Sequence, residues 1–87
     1  MKVRYTTTAL AEIDDILTYI AKDNPRRALD CMRDLRKKAL KLGDMPRAFP
    51  LVPRYEHDGI RRFPYLDYLI FYCIEDDYIS IIHILLP

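Results

Sequence analysis

The chain has few of the residues on which cofactor and metal sites depend. It contains two glycines in 87 residues, too few for the glycine-rich loop that cradles phosphates. Cys31 and Cys73 are too few and too far apart for a disulfide framework or a metal knuckle, and both lie on apolar faces as small hydrophobes. We therefore expect no cofactor and no metal.

The sequence also lacks a long hydrophobic run. No stretch approaches the roughly 20 apolar residues of a membrane span. The N-terminal region carries Glu12, Asp14 and Asp15 and no continuous apolar segment, so we expect no secretory signal. These two absences predict a cytoplasmic protein that does not enter a membrane.

The composition is that of a folded globular protein, with 51% hydrophobic and 31% charged residues, and the length predicts a single domain over residues 1–87. The net charge is only +1, but the charges are unevenly placed. Residues 26–62 hold eleven basic and five acidic side chains, whereas residues 63–87 hold four acidic side chains and no basic one. The middle of the chain should therefore present a basic face to an anionic partner. The alternative is an ordinary solvated helix face and a loop.

The C-terminal third predicts a three-stranded antiparallel meander. Residues 60–63 form a short extended run that Pro64 interrupts, and apolar runs at 66–74 and 78–85 are joined by the acidic turn at 75–77. Both longer runs are apolar on both faces, which is typical of strands buried on both sides. Something must therefore cover the second face of the sheet.

The first half of the chain predicts a strand and two helices. Residues 2–6 form a strand candidate, Thr7 or Thr8 can cap a first helix ending near Lys22, and apolar positions recur there at helical spacing. Asn24 as cap and Pro25 at the first helical position open a second helix, with Gly43 as its C-terminal cap.

The short link between the helices predicts an antiparallel helical hairpin. The proline-containing loop at residues 44–59 should lie on the domain. The predicted fold is α+β, with strand–helix–helix–three-strand order and the helical hairpin packed on a mostly antiparallel sheet of about four strands.

This order and five groups of residues resemble the ParE/RelE superfamily of toxins from bacterial toxin–antitoxin pairs. The groups are Ala9-x-x-Glu12-Ile13-Asp14-x-Ile16-x-x-Tyr19-Ile20-Ala21, Asn24-Pro25-x-x-Ala28, the Met45-Pro46 turn, Gly59-x-Arg61-Arg62-x-x-x-x-x-Tyr68-x-Ile70-x-Tyr72, and Asp76-Asp77-x-Ile79-x-Ile81-x-x-Ile84 with His83. The Asn-Pro-x-x-Ala join and the Arg-to-Tyr-x-Ile-x-Tyr spacing are more similar to the ParE branch. That resemblance implies the toxin half of a type II pair, which binds and poisons DNA gyrase without catalysis of its own. It further implies a cognate antitoxin as partner. The assembly implied is a toxin homodimer or a toxin–antitoxin hetero-oligomer.

The resemblance leaves two alternatives open. A RelE-like ribosome-dependent mRNA endonuclease would need an acid or base and a phosphate-stabilising group, for which Arg61, Arg62 and His83, with Glu56, are the candidates. The alternative for His83 is a strand histidine hydrogen-bonded to a tyrosine or to the backbone. The basic tail of RelE-type ribonucleases has no counterpart after Leu85-Leu86-Pro87, which argues against the enzyme and also allows an inert toxin homologue.

Two groups of residues are candidates for binding a target or partner. Arg61 and Arg62 are adjacent on an extended run and should point to opposite faces, one towards a carboxylate and one free. With Arg54 and Arg47 they predict a positive patch for salt-sensitive, weak binding to a nucleic acid backbone, without sequence specificity.

Tyr68 and Tyr72 should share one face of their strand, with Leu69, Phe71 and Cys73 on the other. The set that does not pack on the helices should be an interface covered by antitoxin or a second toxin. The alternative is a lid formed by the loop, through Phe49 and Tyr55. The predicted target- or partner-binding residues are Arg54, Arg61, Arg62, Tyr68 and Tyr72.

Overall fold

The computed structural model describes all residues, 1–87, and consists of two helices and a four-stranded sheet. The elements in chain order are β1 (Lys2–Tyr5), α1 (Thr7–Asp23), α2 (Pro25–Asp44), a single 3-10 turn (Glu56–Asp58), β2 (Ile60–Tyr65), β3 (Tyr68–Ile74) and β4 (Tyr78–Leu85). The strands lie in the order β1-β4-β3-β2, with β1 parallel to β4 and the other pairs antiparallel. The predicted α+β fold and its element order are confirmed.

The cap of the first helix lies one residue before the nearer of the two predicted caps. Thr6, rather than Thr7 or Thr8, is the cap, and its hydroxyl oxygen accepts a hydrogen bond from the Ala9 backbone N–H at 3.0 Å. The same hydroxyl donates to the Ile82 carbonyl of β4 at 3.2 Å. Thr6 therefore joins the start of α1 to the sheet as well as capping the helix, and this second contact depends on a residue 76 positions away.

The second helix starts as predicted and ends later. The Asn24 side-chain oxygen accepts from the Arg27 N–H at 3.1 Å, and Pro25 is the first helical residue. Gly43 is not the cap, because α2 continues to Asp44 and Gly43 is helical and buried. A Cβ atom at Gly43 would overlap the carbonyl oxygen of Met1, so the glycine allows the backbone before β1 to approach α2 closely.

The strand boundaries differ from the prediction at Pro64 and Leu66. Pro64 lies within β2, where it is tolerated because β2 is at the edge of the sheet. Leu66 is not in β3 but in the tight turn between Tyr65 and Tyr68, where it adopts a φ of 54°. Such turns usually place glycine, asparagine or aspartate at positive φ, so an apolar leucine gives no turn signal at this position.

The core lies between the helices and one face of the sheet. Ile70, Tyr72, Ile79 and Ile81 from β3 and β4 are fully buried, and the helices contribute a set of small and medium apolar residues, Ala9, Leu35, Ala39 and Leu42. Fully burying a side chain such as isoleucine stabilises a fold by about 1.5–3 kcal/mol, so these central strands anchor the domain. Neither helix is both long enough and apolar enough to cross a membrane.

No helix of this chain covers the second face of the sheet. Leu69, Phe71 and Cys73 lie on it and are half-buried. The loop reaches this face at Cys73, whose thiol lies 3.9 Å from the Asp58 carbonyl of the 3-10 turn. Phe49 does not lie over the face, because it stacks on Phe63 of the helix-facing core. The predicted lid through Phe49 is therefore wrong.

Candidate functional site

Two predicted site residues hold the loop against the domain. Arg61 on β2 and Tyr72 on β3 are cross-strand partners on the helix-facing side. The Arg61 guanidinium donates to the Phe49 carbonyl at 2.6 Å, and the Tyr72 hydroxyl donates to the Pro46 carbonyl at 2.8 Å. Burial raises the pKa of Tyr72, and the charge of Arg61 opposes the rise only in part, so Tyr72 remains a neutral donor.

These contacts change the interpretation of three candidate residues. Arg61 binds a backbone carbonyl and not the carboxylate expected of an inward-facing arginine. Tyr72 has no exposed surface, so it is part of the core and not of a surface that a partner can contact. Tyr68 is half-buried and packs against the same core. The two tyrosines share a face, as predicted, but that face is the one the helices cover.

Arg54 and Arg62 remain free to contact a partner. Arg62 is exposed on the uncovered face of edge strand β2, and Arg54 is exposed in the loop, where it adopts a φ of 74°. Neither side chain takes part in a salt bridge, since the two ion pairs of the chain are Arg26–Asp30 and His83–Glu12. Of the five predicted binding residues, these two are the exposed ones.

The uncovered sheet face is an apolar strip bordered by cations. Leu69 and Phe71 lie along β3 in its centre, with Arg62 on the β2 side and Arg4 on the β1 side. The Arg4 guanidinium lies 4.5 Å above the centre of the Tyr78 ring, in cation–π contact. The arrangement suits a partner that is apolar in its middle and acidic at its edges.

His83 contacts a carboxylate of α1. Its Nδ1 atom lies 3.3 Å from the Glu12 carboxylate, and the same carboxylate accepts the Ile84 backbone N–H at 3.0 Å. The predicted partner, a tyrosine or the backbone, is therefore wrong. Nothing in the local sequence pattern indicates this role for Glu12, because it depends on where α1 crosses β4.

Arg61 does not join the catalytic set considered for a ribonuclease. His83 pairs with Phe71, which pairs with Arg62, so two strand spacings, about 10 Å, separate the backbones of His83 and Arg62. Arg61 points to the opposite face and is bound to the loop. No three His, Cys, Asp or Glu side chains come together as ligands for a metal ion.

A second apolar surface lies between the helices and β1. This helix groove, about 460 Å³ in volume, is lined mostly by apolar side chains, with Arg36 as the one charged residue. Leu10, Met32 and Leu40 line it and are respectively 52%, 45% and 62% exposed. The adjacent strand β1 pairs with β4 on one side only, and its other edge has no strand partner.

The fold is shared with a solved toxin–antitoxin protein. The chain is similar to a structure titled as the chromosomal ParDE TA system from P. aeruginosa, with a TM-score of 0.81 and 20% identity over 99% of this chain and 95% of that one. Similarity at this identity establishes the fold. A search of curated proteins gave no match.

The sequence itself establishes the family. The model of a family described as ParE toxin of type II toxin-antitoxin system, parDE, matches residues 3–86. The chain therefore belongs to the ParE toxin family. This membership confirms the predicted resemblance and implies a cognate antitoxin as a partner.

Proposed function

We propose that this ParE-family toxin binds DNA gyrase and poisons it, and that its antitoxin neutralises it by covering exposed apolar surface. The family match over residues 3–86 is the observation that carries the proposal. The contact of Arg61 supports action by binding, because its guanidinium is held by the Phe49 carbonyl of the loop and does not face a substrate.

The helix groove is the surface we assign to the antitoxin. It combines exposed Leu10, Met32 and Leu40 with a β1 edge that has no strand partner, so a partner segment can place a helix in the groove or add a strand to the sheet. Arg36 is the one charged residue that lines the groove. An acidic, amphipathic antitoxin segment fits this surface.

Arg54 and Arg62 are the residues we assign to gyrase and its DNA, because both are exposed and unpaired. The solvent side of α2 carries further exposed cations, Arg33, Lys37, Lys38 and Lys41, which add to the positive field of the chain. Gyrase holds DNA while it acts, so a basic surface favours approach to that complex through its phosphates.

Supercoiling of relaxed plasmid by purified gyrase tests the proposal. We expect the antitoxin-free protein to inhibit supercoiling and to accumulate cleaved DNA, and we expect added antitoxin to reverse both effects. Folded protein that leaves supercoiling unchanged would contradict gyrase as the target. Cleavage of ribosome-bound mRNA by the same preparation would then indicate the endonuclease alternative.

A double charge reversal tests the assigned surface. Arg54→Glu with Arg62→Glu should weaken gyrase inhibition while antitoxin binding is kept, because neither residue lines the helix groove. Arg61 is left unchanged, since its loss would disturb the loop. Lys22→Glu with Arg27→Glu is the matched control, because both residues are exposed at the helix junction and the change in charge is the same. Equal inhibition by the two double variants would contradict the assignment.

A further inference from the structure

A pocket of about 280 Å³ lies between the C-terminal half of α2, the loop segment 45–49 and β2. We call it the α2–β2 pocket. Leu42 and Phe63 lie at its base, and Phe49 and Ala48 of the loop form one wall. Its volume is at the lower limit of the roughly 300–1,000 Å³ sites that bury small-molecule ligands, and it has room for a single large side chain.

The aromatic wall of the pocket is held in place by the sheet. Phe49 stacks on Phe63 with ring centres 5.1 Å apart, and Phe63 meets the edge of Tyr72 at 6.0 Å. The hydrogen bonds from Arg61 to the Phe49 carbonyl and from Tyr72 to the Pro46 carbonyl fix the loop at two points. The pocket is therefore formed before any partner arrives, which lowers the entropic cost of binding.

The rim of the pocket is positively charged. Lys38 and Lys41 on α2 line it, both are exposed, and neither forms a salt bridge. No acidic side chain lines the pocket, and no hydroxyl or amide side chain does so either. An occupant must therefore be apolar where it enters and anionic beside the entrance. The amino groups on the edge of a nucleobase would find no carboxylate, hydroxyl or amide side chain to accept their hydrogen bonds, which favours a peptide over nucleic acid.

We propose that the α2–β2 pocket docks an acidic peptide segment of a partner protein. The segment inserts one aromatic side chain against Phe49 and Phe63, and its flanking carboxylates pair with Lys38 and Lys41. The site is separate from the helix groove assigned to the antitoxin, because the two share no lining residue. The docking chemistry does not require gyrase to be the partner.

A tryptophan-containing peptide tests the pocket directly. The protein contains no tryptophan, so indole fluorescence reports the peptide alone. The probe is the capped peptide Asp-Glu-Trp-Glu-Asp, titrated with the full chain at low and at physiological salt. We expect a blue shift of the emission and an affinity that falls as salt rises. Absence of a shift at millimolar protein, or an equal shift with Lys-Lys-Trp-Lys-Lys, would overturn the proposal.

Charge variants of α2 distinguish peptide binding by the lysines of the pocket rim from attraction by the overall positive charge of the helix. Lys38→Glu with Lys41→Glu should weaken binding by about tenfold or more, from the loss and reversal of two contacts. Arg33→Glu with Lys37→Glu changes the charge equally on the same helix but lies outside the pocket, and should weaken binding far less. An equal loss in the two double variants would show diffuse attraction and overturn the assignment.

A filling variant tests insertion of the aromatic side chain. Ala48→Leu keeps both lysines and places a larger side chain in the wall of the pocket. Because position 48 is exposed, the fold should be retained. Unfolding in urea checks this expectation. We expect the blue shift to be lost. A full blue shift with Ala48→Leu would place the indole elsewhere. Displacement of the peptide by a ten-nucleotide oligothymidylate at lower concentration than unlabelled acidic peptide would identify nucleic acid as the occupant instead.

Discussion

At the scale of single residues, Arg61 and Arg62 show how one step along a strand changes the role of a side chain. Successive residues of a strand point to opposite faces, so Arg61 reaches the loop on the helix side and Arg62 faces solvent. Arg61 stabilises the Phe49 backbone with a charge-assisted hydrogen bond. Arg62 has no such contact and is available to a partner.

Replacement of Arg61 should lower the free energy of unfolding much more than replacement of Arg62. We expect Arg61→Met to lower the free energy of unfolding by about 1.5–3 kcal/mol, the usual range for a hydrogen bond to a charged group. Arg62→Met, the matched control, should change it by about 0.5 kcal/mol or less, as at an ordinary surface position. Urea unfolding of both variants measures the difference. Equal stabilities would show that the Arg61 contact contributes nothing to the fold.

At the scale of elements, α1 completes the edge of β4. β1 pairs with residues 78–81 of β4 only, and a bulge opposite Phe71 and Tyr72 follows, so the end of β4 has no strand on that side. The start of α1 lies there instead. Thr6 binds the Ile82 carbonyl, and Glu12 accepts the Ile84 N–H, which a neighbouring strand would otherwise do. The helix thereby protects an edge that could pair with another chain.

Removal of the Glu12 carboxylate tests whether this side chain stabilises the edge of β4. Glu12→Ala leaves the Ile84 N–H without its acceptor and should lower the free energy of unfolding by about 1–3 kcal/mol. Glu12→Gln keeps an acceptor oxygen and should recover most of the loss. Asp15→Ala, at an exposed position of the same helix, is the control. Hydrogen exchange at the Ile84 amide provides a local measurement, and unchanged protection in Glu12→Ala would contradict this role.

At the scale of the whole molecule, burial in the folded chain raises the pKa of several groups. Burial is the main cause at Tyr5, Tyr65, Tyr72 and Cys73. At Tyr65, nearby Cys31 and Asp34 act in the same direction, and its hydroxyl donates to the Cys31 carbonyl at 3.3 Å. At Tyr5 the positive charge of Arg36 opposes the rise. The folded state therefore holds these protons to higher pH than the unfolded chain.

The expected consequence is a loss of stability in alkali. Unfolded cysteine and tyrosine ionise near pH 9.0 and 10.0, whereas the folded groups stay protonated, so the native state binds more protons in this range. The free energy of unfolding should then be constant at neutral pH and fall as pH rises above about 9. Urea unfolding at about pH 7.5 and about pH 10.5 measures the fall. Tyr72→Phe should make it smaller, and a flat profile would contradict the expectation.

Much of the architecture follows from local sequence pattern. Asn24 and Pro25 start α2 because a side-chain acceptor and a proline satisfy the first helical turn, and this holds in any tertiary setting. The acidic turn at 75–77 and its flanking apolar runs specify the last hairpin for the same reason. Element order and sheet class, together with the motif groups that resemble ParE, were readable without coordinates.

Only the tertiary structure decided what the individual functional candidates contact. Alternation along β3 placed Tyr68 and Tyr72 on one face, but packing of the helices determined that this face is the buried one. The same packing assigned Glu12 to the β4 edge, left Met32 exposed in the helix groove and brought Phe49 to the α2–β2 pocket. The periodicity of a helix or a strand depends on residues that are a few positions apart, so the sequence pattern shows it directly. A binding surface depends on which distant elements pack together. Those contacts join residues that are tens of positions apart.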